Sequence, residues 1–183
     1  MSAQPLHILG ISGSYGKSSK NGLLLEQALA AVAESGAVVH NWDHVKRPLP
    51  LVGAEGCWED DNVKKFQELA SSCHGFILSS PEYHGTMSGV MKNSLDWLHE
   101  KHVGGKVFAV MSTLGGISNS NTLNHMRISL RWLHGWVIPE QVAVGNIKEA
   151  FSKEGRLTDS DLCERVDNMA ASLMKMAAFL AEE

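Results

Sequence analysis

Three stretches of this chain concentrate residue types able to do chemistry. The first, Gly10 to Asn21, reads GISGSYGKSSKN. Its glycines let the backbone turn tightly, and Ser14, Ser18 and Ser19 supply hydroxyls beside Tyr15, Gly16, Lys17, Lys20 and Asn21. A helix starting here would present free N–H groups and its positive dipole end to an anion, so a phosphate monoester fits. Ser and Asn also cap helices with no ligand present, and the loop alone leaves both readings open. Gly16-Lys17-Ser18 looks like the end of a P-loop. The spacing GxxxxGK[ST] requires glycine at position 11, however, which is Ile11, and Gly10 is one residue too far. No Asp stands where later strands end, at Ser79-Ser80-Pro81 and Ser112-Thr113, to hold a magnesium shell. A nucleoside-triphosphate loop is therefore set aside.

The second stretch, Ser80 to Trp97, reads SPEYHGTMSGVMKNSLDW. Pro81 stiffens its start, and Tyr83 and His84 offer flat surfaces to an aromatic ring. Glu82 and His84 have the types of an acid–base pair, but adjacency in sequence does not aim them at each other. A turn through Gly85 presenting backbone groups to a ligand is the preferred reading, and no catalytic side chain is assigned. In the third stretch, Met111 to Asn119, Ser112 and Thr113 precede Gly115 and Gly116. Adjacent glycines can aim bare N–H groups at developing negative charge, as an oxyanion hole does, or can simply turn the chain.

Apolar runs and periodicity supply the elements that must position these stretches. Leu6 to Ile11 reads as a strand. A helix follows from Ser19, with Leu25, Leu29 and Val32 on one face and a stop at Gly36. Val38 to Trp42 reads as a second strand, and Asn62 to Cys73 as a helix. Gly75 to Ser79 is apolar without alternation, as a strand covered on both faces should be. A loop at Pro81 to Ser88, a helix from Gly89 to about His99 and a strand from Lys106 to Met111 come next. The chain closes with a helix from Asn121 to Leu133, a strand from Trp136 to Val144 and a helix from Asp159 to Leu180. Five strands alternating with helices predict an α/β fold, a three-layer sandwich around a parallel sheet ordered 2-1-3-4-5. In such sheets ligands bind beyond the carboxyl ends of the strands, where the three stretches fall. The closing helix spaces Leu162, Val166, Met169, Leu173, Met176 and Leu180 by fours and threes. So short a seam fits packing on the chain's own sheet better than a dimer.

The 183 residues suit one domain, 1–183, burying about 70% of the unfolded chain's surface. A net charge of −4 with no basic stripe excludes an obvious nucleic-acid binder. Three scattered cysteines, Cys57, Cys73 and Cys163, speak against a disulfide framework and a thiolate zinc site. The polar start is no signal peptide, and no stretch nears the roughly 20 apolar residues of a membrane span, so a cytoplasmic protein without membrane partners is expected. His40 and His44, placed in a loop, and His99 and His102, near a helix end, have no clustered carboxylate or cysteine, so no metal site is expected. Trp97, Trp132 and Trp136 are placed near the site, in an interface or in the core.

Gly13-Ser14-Tyr15-Gly16-Lys17-Ser18-Ser19-Lys20-Asn21 resembles the phosphate loop GSxRxxSxN of the NADPH-dependent FMN reductase family, which includes quinone, azo-dye and chromate reductases. Pro81-Glu82-Tyr83-His84 and Gly89 to Trp97 resemble that family's PEYNxxxPGxxKNAxDW, and Ser112, Thr113, Gly115 and Gly116 its loop after the fourth strand. The resemblance implies a flavodoxin-like fold, bound FMN and NADPH or NADH as co-substrate. It further implies phosphate contacts from Ser14, Ser19 and Asn21, ring contacts from Pro81 through Gly85, and a polar contact from Ser112 or Thr113. Three positions depart from it: Gly16 replaces an arginine, His84 an asparagine and Ser88 a proline. The implied activity is hydride transfer from NAD(P)H through FMN to a small acceptor: a quinone, azo compound, metal oxyanion or free flavin. The Gly115 and Gly116 N–H groups would face the reduced ring's anionic end. Family members commonly pair around the flavin, so a homodimer or homotetramer is expected. A flavodoxin-like electron carrier and a binding module without cofactor are the competing readings. NADPH is not distinguished from NADH, since no clamp for a 2′-phosphate is identifiable.

Overall fold

A computed structural model describes residues 4–16, 19–117 and 120–182. Lys17 and Ser18 of the first loop lie outside the described residues. Strand β1 (His7–Ser12) leads into helix α1 (Lys20–Glu34), and β2 (Val38–Trp42) and α2 (Asp61–Ser72) follow. Next come β3 (Gly75–Tyr83), β4 (Thr86–Met87), α3 (Gly89–Asp96) and α4 (Glu100–Val103). The chain ends with β5 (Val107–Thr113), α5 (Ser120–Trp132), β6 (Trp136–Val144) and α6 (Ser160–Ala181).

The long strands pair in parallel in the order β2-β1-β3-β5-β6, which is the expected 2-1-3-4-5 arrangement once the two-residue β4 is set aside. Strand residues alternate faces. Leu9, Ile11, Phe76, Leu78, Phe108 and Val110 pack with Phe66 of α2, Met91 of α3 and Met126 of α5. On the other face Ile8, Ile77 and Ala109 pack with Leu25 and Ala28 of α1 and Met169 and Leu173 of α6. Helix α6 thus covers its own sheet, as its short seam predicts. Each large aliphatic or aromatic side chain fully buried this way contributes about 1.5–3 kcal/mol.

Several boundaries differ from those expected. Pro81 to Ser88 is not a loop. β3 runs on because Ser80 and Pro81 pair with Ser112 and Thr113 of β5, and Glu82 and Tyr83 fold back on Met87 and Thr86. The third helix stops at Asp96 instead of His99. The Trp97 carbonyl accepts from Gln67 Nε2 at 2.7 Å and its indole N–H donates to the Pro50 carbonyl at 2.8 Å, which turns the chain out of the helix. His99 caps α4. His40 belongs to β2, opposite Leu9, and not to a loop. Trp97 is core, whereas Trp132 and Trp136 lie on the surface at the amino ends of β5 and β6, away from the carboxyl ends.

β6 carries Pro139, which cannot donate to a ladder, inside a bulge between the Phe108 and Val110 pairings. Arg127 of α5 donates there to the Ile138 carbonyl at 2.9 Å and the Pro139 carbonyl at 3.1 Å. No helix among the described residues is long and apolar enough to cross a membrane.

Candidate cofactor cleft

At the carboxyl ends of β1, β3 and β5 the three stretches meet in a cleft of about 260 Å³. Ser14, Ser19, Lys20 and Asn21 line it from the first loop and α1, Pro81, Glu82 and Tyr83 from β3, and Thr113, Leu114 and Gly115 from the end of β5. Ile147 closes it from the β6–α6 connection; like Leu114, it carries no chemical signal in the sequence. Tyr15 and Gly16 instead line a neighbouring hollow between the first loop and the end of β2, shared with Trp42, Asp43 and His44. His84 and Gly85 form the hairpin tip at the cleft's rim, Ser112 is buried beneath it, and Gly116 sits one residue beyond its lining.

The first loop is held from below. Gly13 N–H donates to the Ser79 carbonyl at 2.7 Å, and its own carbonyl accepts from Ser88 Oγ at 2.7 Å. A Cβ at Gly13 would come within 2.7 Å of Ser88 Oγ and 3.1 Å of Ser80 Cα, so only glycine fits. Ser19 caps α1, its Oγ accepting from Gly22 N–H at 2.9 Å. Asn21 is 3% exposed and its amide is used at both ends. Nδ2 donates to Ser79 O at 2.7 Å and Ser12 Oγ at 3.1 Å. Oδ1 accepts from Ser79 Oγ at 2.8 Å and Thr113 Oγ1 at 3.4 Å. Asn21 therefore ties together the ends of β1, β3 and β5 that carry the three stretches. Among the described residues no acceptor meets the N–H groups of Tyr15, Gly16, Lys20 or Asn21. Those of Lys20 and Asn21 open the first turn of α1, the donor set a phosphate requires.

The hairpin turns at His84 (φ 53) and Gly85 (φ 78), two consecutive positive angles that define a type I′ turn. Asparagine suits the first position better than histidine, but the turn forms with His84. Glu82 is not aimed at His84. Its Oε2 accepts from Thr122 N–H at 3.0 Å, capping the start of α5, while His125 Nδ1 meets Thr86 Oγ1 at 2.7 Å. These two bonds fasten the hairpin to the helix that follows the glycine pair. Ser88, where the motif has proline, donates its N–H to Ser80 Oγ at 3.0 Å and caps α3 by accepting from Met91 N–H at 3.1 Å. Proline could do neither. Beyond β5, the Leu114 and Gly116 carbonyls accept from Ile147 N–H at 3.2 Å and Asn146 N–H at 2.7 Å. The N–H groups of Gly115 and Gly116 have no acceptor among the described residues.

Histidines gather elsewhere. His7 Nδ1 lies 3.1 Å from His40 Nε2, and His7 N–H donates to His74 Nδ1 at 3.0 Å. Burial, and then the His7 imidazole, holds both His40 and His74 below their ordinary range. His44 is lowered by burial, against the Ser12 carbonyl and Asp43, which raise it. Among the described residues no three His, Cys, Asp or Glu side chains are grouped to hold a metal.

A parallel sheet in this order, with a serine-rich loop, a tight hairpin and a glycine pair at its carboxyl edge, defines a flavodoxin-like α/β protein. Within that class the chain belongs to the NADPH-dependent FMN reductase family, whose model matches residues 6–149. It is 33% identical over 173 residues to the NADPH-dependent FMN reductase ArsH of Rhizobium meliloti (strain 1021), covering 92% of this chain and 70% of that protein. It is 34% identical over 121 residues to the FMN-dependent NADPH-azoreductase of Staphylococcus haemolyticus (strain JCSC1435), covering 63% of this chain and 64% of that protein. The apo structure of the NADH:FMN oxidoreductase EMOB superposes with a TM-score of 0.73 at 23% identity, covering 92% of this chain and 90% of that one, a likeness of fold.

Proposed function

We propose that the cleft holds one FMN, with its phosphate at the mouth of α1 and its ring between the Tyr83–Thr86 hairpin and the Gly115–Gly116 loop. The protein is an NAD(P)H-dependent FMN oxidoreductase acting on a small-molecule acceptor. The observation that carries the placement is the convergence, from two loops on one cleft, of N–H groups with no acceptor among the described residues. Bound FMN supplies the hydride chemistry, and the chain supplies position and electrostatics. Ser14 and the first N–H groups of α1 bind the phosphate. Ser19 and Asn21 hold that loop in shape from beneath. Pro81, Glu82, Tyr83, His84 and Gly85 present the hairpin to the ring, and Thr113 offers a hydroxyl over the buried Ser112. The Gly115 and Gly116 N–H groups lower the cost of negative charge at the ring edge. No side chain in this account is an obligatory acid or base.

The acceptor is one of the classes that an open, mostly apolar cleft admits: a quinone, azo compound, metal oxyanion or free flavin. The chain folds as one domain in the cytoplasm, without nucleic-acid or membrane partners. Exposed Ile128, Trp132 and Trp136 support a homodimer or homotetramer. The test is the visible spectrum of the purified protein before and after anaerobic NADPH or NADH. Bound FMN that bleaches, followed by steady oxidation of the nicotinamide when a small quinone alone is added, is the expected result. FMN that neither nucleotide bleaches would make the protein an electron carrier, and a protein that refuses FMN would end the reading.

A further inference from the structure

We propose that Lys20, steadied by Phe151, is the cation that recognises the phosphate dianion in the cleft, restoring the charge lost where Gly16 stands in place of the motif's arginine. The proposal rests on the FMN reading above and assigns the chain's discrimination between FMN and unphosphorylated riboflavin to one residue.

Lys20 opens α1 and lines the cleft beside Ser14 and Ser19. No carboxylate among the described residues lies within salt-bridge range of it, and the first turn of α1 contains no acidic residue. Lysine charge and helix dipole therefore act at the same mouth with the same sign. The ammonium lies 5.2 Å from the centroid of the Phe151 ring. An aromatic face attracts a cation without neutralising it, so the side chain is held while its charge stays available to an anion.

Phe151 is fixed for that task. It is 7% exposed and bridges to Leu157, while Thr158 N–H donates to the Ala150 carbonyl at 3.1 Å. Gln27 of α1 fastens the same connection, accepting from Leu157 N–H at 3.3 Å and donating to the Gly155 carbonyl at 3.4 Å. The ring and the lysine thus stand on one rigid frame, α1 with the β6–α6 connection. The span shared with the family model ends at residue 149, before Phe151, so this wall is outside the matched pattern.

The test titrates the flavin-free protein with FMN and with riboflavin, for the wild type and for K20A, K20R, F151L and K17A. K20A is expected to weaken FMN about tenfold to a hundredfold, the range for a charged hydrogen bond, while leaving riboflavin affinity unchanged. Unchanged riboflavin binding also shows that the cleft still folds. K20R should restore most of the preference, and F151L should lose part of it. A K20A protein with the wild-type FMN-to-riboflavin ratio, or a ratio that collapses in K17A instead, would overturn the assignment to Lys20. A wild-type protein that binds neither flavin would overturn the FMN reading itself, and this proposal with it.

Discussion

Asn21 shows how one buried amide can hold together the strand ends that frame a cleft. Its four side-chain hydrogen bonds reach Ser12, Ser79 twice, and Thr113, so each strand that delivers a loop to the cleft meets the same buried group. In N21A four side-chain hydrogen bonds are lost, at about 0.5–1.5 kcal/mol each, while the Ser79 carbonyl keeps Gly13 N–H and the Ser79 hydroxyl keeps the backbone carbonyl of residue 21. The expected outcome is a loss of about 2–4 kcal/mol in a urea melt, together with weaker FMN retention. S19A removes only a helix cap and should cost about 1 kcal/mol. If N21A matched the wild type in both stability and FMN retention, Asn21 could not be the clamp. The sequence points to Asn21 as a candidate site residue, and it lines the cleft. The direction of its amide, downward to the strand ends, depends on where Ser79 and Thr113 arrive, 58 and 92 residues later.

At the scale of elements, the cleft works because its loops are tied to helices. Ser88 starts α3 and at the same time holds Gly13, linking the segment after the Tyr83–Thr86 hairpin to the first loop. S88A should lose about 1–2 kcal/mol through the missing cap, and should weaken FMN as the Gly13 turn loosens. S88P should cost more, since it also removes the N–H that Ser80 accepts. Thermal melts of the two variants with and without FMN would show it. Equal melting temperatures for S88A and wild type would rule out the link. The motif departure at Ser88 thus replaces ring stiffness with three hydrogen bonds. Glu82 does comparable work for α5, which explains why a glutamate beside a histidine is no acid–base pair here.

For the whole molecule, stability should depend on pH in a direction set by the histidines. His40, His44 and His74 are all held below the ordinary value of 6.5, mainly by burial. As pH falls through that value, the unfolded chain takes up protons that the folded chain resists, so the equilibrium moves toward unfolding. The stabilisation is therefore fully present above pH 6.5 and is lost progressively below it, toward the lowered folded-state values. Urea midpoints between pH 7.5 and 5 should fall for the wild type. The slope should be shallower in H44Q, whose glutamine does not titrate. A flat wild-type profile would rule out this histidine linkage.

The sequence by itself determined the layers and the cleft's raw material. Unbroken apolar runs such as Gly75 to Ser79 admit only covered strands, and strand–helix alternation leaves few parallel topologies, so the order 2-1-3-4-5 was legible. Glycine and serine clustered after three of those strands marked the edge where the cleft lies and a ligand is expected. Tertiary structure alone decided which polar groups face that ligand. Periodicity encodes the face a residue takes on its own element, not the partner it meets across the sheet. Hence the hairpin inside an expected loop, Glu82 turned to α5, the Asn21 amide spent on the strand ends, Ile147 at the cleft and Phe151 beside Lys20 appear only when distant segments are brought together.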